Sequence, residues 1–412
     1  MGATQIELGA HSLSAGGRSM VAMPVASDNR EVLLPLDIPE DNLSLTAGIL
    51  PAQWIKRLFD RDQIGGKPLA PGQIQPASLD LRLGKIAYKI HASFLPGTNS
   101  SVQKRVEQLT SYELDLSTPQ VLNRGAVYLV EIEEQLNLSS SLSAIANPKS
   151  STGRLDVFTR VIADRSDAFD VIPAGYKGKL WAEVSPRTFD VLVRQGTRLS
   201  QIRFRRRTSS QHVHSTSRLD DTELEALHAR SRITDEPPII RQGLNLRVNL
   251  RKDNGSNVIA YRAKRYTNFI DMDKVATYQA ADYWDAIEPN SEGNLLLSPG
   301  EFYILASKEK LHIPNDHAAE MVAIDPIMGE FRVHYAGFFD PGFGMTSDDG
   351  PGSKAVLEVR TYDIPFFLED GQTIGRLEFE RLTDKPTADY GAAISSNYQG
   401  QRLKLSKHFI VP

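Results

Sequence analysis

Three stretches of this chain recur, in the same order, in its second half. Gly243-Leu244-Asn245-Leu246-Arg247-Val248 echoes Ser78-Leu79-Asp80-Leu81-Arg82-Leu83. Leu297-Ser298-Pro299-Gly300-Glu301-Phe302-Tyr303-Ile304-Leu305 echoes Leu122-Asn123-Arg124-Gly125-Ala126-Val127-Tyr128-Leu129-Val130, and the segment 363–379 echoes 189–204. The period is too long for a solenoid, so the chain reads as two copies of one domain. Within each copy, short alternating runs such as Lys179-Leu180-Trp181-Ala182-Glu183-Val184 are bounded by Gly, Pro and Asn. That texture predicts an all-β barrel or sandwich, jelly-roll-like, with few short helices.

The expected organisation follows. Residues 1–45 are an N-terminal extension, 46–205 the first β module, 206–238 a linker, 239–385 the second β module, and 386–412 a C-terminal tail. Trp54, Ile55, Leu58 and Phe59 stand at helical spacing behind Pro51, which predicts one short amphipathic helix. A second helical stretch is expected around 222–227. Arg205-Arg206-Arg207 reads as a solvated strand end.

Composition narrows the chemistry. A formal net charge of −4 over 412 residues gives no global attraction to nucleic acid or to anionic membranes, so neither is expected as a partner. An anionic ligand must be held by a local cluster of cations. With no cysteine, the chain has no disulfide, no thiolate nucleophile and no Cys-containing zinc site, including the His/Cys/Cys centre of zinc-dependent base deaminases. The nine histidines form no H-E-x-x-H pattern, and His212 and His214 sit in a Ser/Arg-rich stretch. No apolar run is long enough to span a bilayer and no secretory signal opens the chain, so a cytoplasmic location is expected.

Two distant segments carry the chemistry. Pro148-Lys149-Ser150-Ser151-Thr152-Gly153-Arg154-Leu155 offers hydroxyls and two cations, suited to phosphates. Phe339-Asp340-Pro341-Gly342-Phe343, followed by Ala355-Val356-Leu357-Glu358-Val359, offers a tight turn and then a carboxylate on a short apolar strand.

These residues resemble the dCTP deaminase family of the trimeric dUTPase-like superfamily. Gln73-Ile74-Gln75-Pro76-Ala77-Ser78-Leu79-Asp80-Leu81 is similar to that family's opening strand, and Lys149 to Leu155 to its serine-arginine phosphate motif. Phe339 to Phe343 is similar to its Asp-Pro-Gly turn, and Val356-Leu357-Glu358 to the strand bearing its glutamate. Tyr390 and Asn397-Tyr398-Gln399-Gly400-Gln401 are similar to its C-terminal segment that closes over the triphosphate. The resemblance covers roughly 46–205 and 239–402. It implies two tandem dUTPase-like β-barrel modules, a homo-oligomer, zinc-independent hydrolytic deamination of dCTP to dUTP and ammonia, and Mg²⁺ accompanying the triphosphate, with no metal ligand from protein side chains.

Neither copy keeps a full set. The first has Ser150, Ser151 and Arg154, but its turn reads Ile172-Pro173-Ala174-Gly175, without the Asp; its strand keeps Glu183. The second keeps Asp340 and Glu358, but its phosphate motif has become Asp325-Pro326-Ile327-Met328-Gly329-Glu330, whose carboxylates would repel a triphosphate. The complementary losses imply one composite site per chain, with Glu183 a structural remnant.

The resemblance then assigns roles. Hydrolytic deamination needs water at C4 of cytosine and protons at N3 and the amine, which one carboxylate of raised pKa can shuttle. A strand glutamate taken alone is most often exposed; beside the Asp340 turn, Glu358 is read as that general acid/base. Ser150 would fix the water, and Arg154 would stabilise charge at the base or orient Glu358. Lys149 and Ser151 would hold phosphate oxygens, Lys149 as a point charge where the family has an Arg fork. Ala336 would let backbone read the cytosine edge, Val356 and Leu357 would flank the substrate, and Asp340 would meet the sugar 3′-hydroxyl. Tyr390, Asn397 and Gln401 would close over the nucleotide, Asn397 lacking the family's lysine charge. A dUTP diphosphatase, a bifunctional enzyme performing both steps, a non-catalytic nucleotide sensor and a 5-substituted dCTP as substrate remain alternatives.

Overall fold

The long strand Ser78–Ile90 changes partner midway. Its first half pairs with Arg198–Arg206 and its second with Val127–Asn137. The switch sits at a register shift between Leu83 and Ala87, where a Cβ on Gly84 would lie 2.5 Å from the Glu131 carbonyl oxygen. Only glycine permits that approach, and the bulge folds the sheet back on itself. The order across this sheet is Val171–Ile172, Leu142–Pro148, Arg198–Arg206, Ser78–Ile90, Val127–Asn137, Lys177–Pro186 and Val157–Ala163.

This computed structural model describes residues 47–207, 217–253, 256–322, 332–333, 337–345, 352–387 and 400–411. The second module follows the first in design. Its two five-stranded sheets are built around Thr373–Arg381, which pairs with Leu244–Arg247 and His317–Val322, and around Phe302–Leu311, which pairs with Ser353–Arg360. The architecture is all-β, with helices confined to short pieces.

The sequence echo is physical. Arg82 Nε lies 2.6 Å from Glu134 Oε1, and Arg247 Nε lies 2.6 Å from Glu309 Oε1. The Asn123 amide donates to the Tyr128 hydroxyl at 3.1 Å, and the Ser298 amide donates to the Tyr303 hydroxyl at 3.1 Å. Each module thus repeats one arginine–glutamate pair, spaced by 52 residues in the first and 62 in the second, and one tyrosine-capped turn at the same five-residue spacing.

One helix is not expected from the sequence. Helix Val102–Leu109 forms behind a Ser101 cap and seats Val102 and Val106 against Ile90 and Trp181. Helix Asp221–Arg230 forms where a helical stretch is expected around 222–227; it starts on an Asp220–Glu223 capping box and buries Leu224 and Leu227 in the second module's core. Helix Ala52–Asp60 lies where periodicity predicts it and buries Ile55 and Leu58.

The modules share one seam. Val191–Val193 pairs in parallel with Ile270–Asp271, and Arg194 reaches Asp271 at 2.7 Å and Asp273 at 2.9 Å. Phe189 packs edge-on to Trp284 and Tyr283 of the second module, and Trp284 and Tyr283 in turn meet Phe409. Arg205, read as part of a solvated strand end, instead crosses to Glu380, its Nε donating at 2.9 Å. Burial of so much aromatic surface, with charges paired across it, fixes the two modules against each other.

Candidate active site

Alternation along Ser353–Arg360 decides where its carboxylate goes. Ala355, Leu357 and Val359 face the second module's core, whereas Val356 and Glu358 face the seam. Leu357, expected beside the substrate, therefore turns its side chain into the core. Glu358 opens onto a cleft lined from the first module by Lys149, Ser150 and Arg154, and from the second by Met321, Phe338, Phe339, Phe343, Val356 and Gln401. The serine-arginine loop and the acidic strand meet within a single chain.

Glu358 is 6 % exposed. Burial pushes its carboxyl up to about 7; the positive charge of Arg154 works against that rise, and Asp156 adds to it. A carboxyl poised near neutrality can both take and return a proton.

Arg154 closes the short helix Ser150–Gly153, its amide donating to the Ser150 carbonyl at 3.1 Å. Nη1 donates to the Lys404 carbonyl and Nη2 to Gln401 Oε1, both at 3.0 Å. Gln401 Nε2 donates to the Lys354 carbonyl at 2.9 Å, so both ends of this amide are held by protein. Gln401 borders the cleft, yet its visible work is to brace Arg154. Ser151 lies buried behind the loop, away from the cleft lining, and its carbonyl accepts from the Ser406 hydroxyl at 2.8 Å.

Lys149 borders the cleft with its ammonium 2.5 Å from Asp80. Lys407, which sequence reasoning passed over, has its pKa lowered by burial and then by the charge of Lys149. Lys407 stands beside Lys149 but is not among the residues lining the cleft, and the carboxylates of Asp80 and Asp273 offset the positive charge there. Nothing in the spacing of Lys407 marks it; only docking of the C-terminal segment brings it beside Lys149.

Pro341 and Gly342 form a tight turn, with φ of +83° at Gly342 and the Phe343 amide donating to the Asp340 carbonyl at 3.0 Å. Phe339 and Phe343 line the cleft and stack edge to face. Asp340, next in sequence to Phe339, is buried and not among the cleft-lining residues; its carboxylate is bound to Arg203 at 2.8 Å. Glu183, the spare carboxylate, is buried under Arg160, whose Nη2 lies 2.6 Å away and whose guanidinium covers the Phe169 ring. Ala336, Tyr390 and Asn397 lie outside the described residues, as does the 325–330 segment. Among the described residues, no cluster of three or more His, Asp or Glu side chains is placed to hold a metal ion, and no helix is long and apolar enough to cross a membrane.

Comparison with known proteins agrees with this geometry. The family model "2'-deoxycytidine 5'-triphosphate deaminase (DCD) N-terminal domain" matches residues 46–208, and its C-terminal-domain counterpart matches 220–409. The chain belongs to the dCTP deaminase family. It is similar to the crystal structure of 2'-deoxycytidine 5'-triphosphate deaminase from Agrobacterium tumefaciens, at 47 % identity and a TM-score of 0.77, over 82 % of this chain and 99 % of that one. A "dCTP deaminase, dUMP-forming" from Beutenbergia cavernae is 32 % identical over 148 residues, 34 % of this chain and 73 % of the relative. One of the same name from Mycolicibacterium vanbaalenii is 30 % identical over 159 residues, 38 % of this chain and 76 % of the relative. Each of these two relatives matches about one module's length of the chain.

Proposed function

We propose that the chain hydrolyses the 4-amino group of dCTP, giving dUTP and ammonia, at the composite cleft between its modules. One observation carries this reading: a buried glutamate with its pKa near neutrality faces an arginine and a serine from the other module. Ionised Glu358 takes a proton from the attacking water and delivers it to N3. Glu358 then takes the proton of the C4 hydroxyl and passes it to the amine; the C4–N bond breaks, ammonia leaves and the C4 carbonyl forms. Ser150 fixes the water, and Arg154 counters negative charge as it builds on the base. Lys149, which borders the cleft, receives the triphosphate. Among the described residues Glu358 is the one carboxylate lining the cleft, and Mg²⁺ is read as the triphosphate's counter-ion. Glu183, neutralised by Arg160, plays no part, which leaves one site per chain.

The printed names of the two curated relatives favour a second reading, in which dUTP is carried on to dUMP and pyrophosphate. The same Ser150 and Lys149 cluster would then orient a water at the α-phosphate. The enzyme works in the cytoplasmic nucleotide pool, as a homo-oligomer in this reading.

Incubation with dCTP and Mg²⁺, with products resolved by anion exchange, tests both. Ammonia with dUTP is expected, and dUMP with pyrophosphate would establish the second step. Glu358→Gln should lower ammonia release by about 10²–10⁴-fold while leaving nucleotide binding in place. A wild-type protein that binds dCTP and releases no ammonia would replace deamination with nucleotide sensing.

A further inference from the structure

Arg203 is the largest fully buried side chain of the described residues, 1 % exposed at the seam. A guanidinium there needs partners for its donors; Nη1 and Nη2 have them, while Nε has none among the described residues. Nη1 donates to the Ala319 carbonyl at 2.9 Å, and Nη2 donates to the Phe339 carbonyl at 2.9 Å and to Asp340 Oδ1 at 2.8 Å. Its face lies 4.1 Å from the centre of the Phe338 ring. Ala319 and Phe339 are opposite each other in one antiparallel ladder. A first-module cation thus ties together the strand pair, the Asp-Pro-Gly turn and two aromatic residues of the cleft wall in the second module.

The internal repeat isolates this role. Arg203 pairs across its ladder with Ile145, and the equivalent residue of the second module, Glu378, pairs with Glu320. Glu378 is acidic and bound to Arg218 at 2.6 Å. Conversely, the first module keeps the turn, with the Tyr176 amide donating to the Pro173 carbonyl at 3.2 Å and Gly175 at φ +74°, but has Pro173 in place of the carboxylate. The arginine survives only in the first copy and the aspartate only in the second. A mere structural plug would have no reason to follow the division of the active site.

We propose that Arg203 is a positioning residue that fixes Asp340 and the adjoining Phe338–Phe339 wall, so that the composite cleft recognises the 3′-hydroxyl of a 2′-deoxynucleotide. Oδ1 of Asp340 is spent on the guanidinium, and Oδ2 is the oxygen offered to the sugar. This rests on the reading of the cleft as a pyrimidine triphosphate site.

The test compares dCTP with 2′,3′-dideoxy-CTP in the wild type, Arg203→Lys, Asp340→Asn and the double variant, reading ammonia release and, by calorimetry, binding. A lysine keeps the charge and cannot span three acceptors. The wild type should prefer dCTP. Arg203→Lys should raise KM for dCTP about tenfold or more at nearly constant kcat, change the dideoxy nucleotide far less, and add nothing to Asp340→Asn. Equal losses on both nucleotides, or effects that multiply in the double variant, would overturn the proposal. If ammonia is absent throughout while Arg203→Lys still erases the 3′-hydroxyl preference in binding, positioning stands and only the deamination reading fails.

Discussion

Glu358 is under two opposed demands. Its strand places it among apolar neighbours, and burial raises its pKa from 4.5 to about 7. The folded state therefore holds this proton more tightly than the unfolded chain. Its contribution to stability is complete below about pH 4.5, where both states are protonated, and is lost as pH rises through about 7. Glu358→Gln, neutral at every pH, should be more stable than the wild type at pH 8 by on the order of 1–3 kcal/mol, with the gain vanishing towards pH 4.5. Urea unfolding of both proteins at several pH values measures it. A difference that does not change with pH would mean that the carboxyl is not held in the buried, proton-retaining state on which the chemistry depends. The proposed mechanism predicts that the same substitution removes activity, so that a proton shuttle and a stable core would compete at one residue.

At the scale of elements, the C-terminal segment is what sequence reasoning could not place. Similarity to a closing tail suggested that Gln401 would bind phosphate. Folded, residues 400–411 run along the serine-arginine loop: Gln401 and the Lys404 carbonyl hold Arg154, Ser406 holds the Ser151 carbonyl, and Phe409–Ile410 pairs in parallel with Tyr278–Gln279. Arg154 and Gln401 are 247 positions apart, and no local pattern announces a contact at that separation. If Gln401 orients Arg154, Gln401→Ala should lower kcat about tenfold with little change in KM. A rise in KM with kcat preserved would return Gln401 to the phosphates. Helix Val102–Leu109 was equally hidden, since only Val102 and Val106 of its short length are buried and the stripe is too brief to register as a period.

Across the whole molecule, the repeat was the most legible feature because both copies use it for the same job. The Leu-Arg-hydrophobic echo at 82 and 247 becomes the same arginine–glutamate pair in each module, buried in the first and partly buried in the second. The composite cleft was legible too, from complementary losses: Pro173 for Asp340 in one copy, and 325–330 for the serine-arginine motif in the other. What stayed illegible was which chain completes the site, and with it the role of Arg203, whose three acceptors all lie in the other module. The shared aromatic core and the parallel pairing of Val191–Val193 with Ile270–Asp271 fuse the modules so that one chain supplies both halves of one site. Co-expression of Arg154→Ala with Glu358→Gln, each carrying a different tag and purified through both, tests that claim most directly. A site completed within each chain predicts that the doubly purified sample releases no more ammonia from dCTP than either variant alone. Recovery of a substantial share of wild-type activity would show that the halves are exchanged between chains, and would contradict the account.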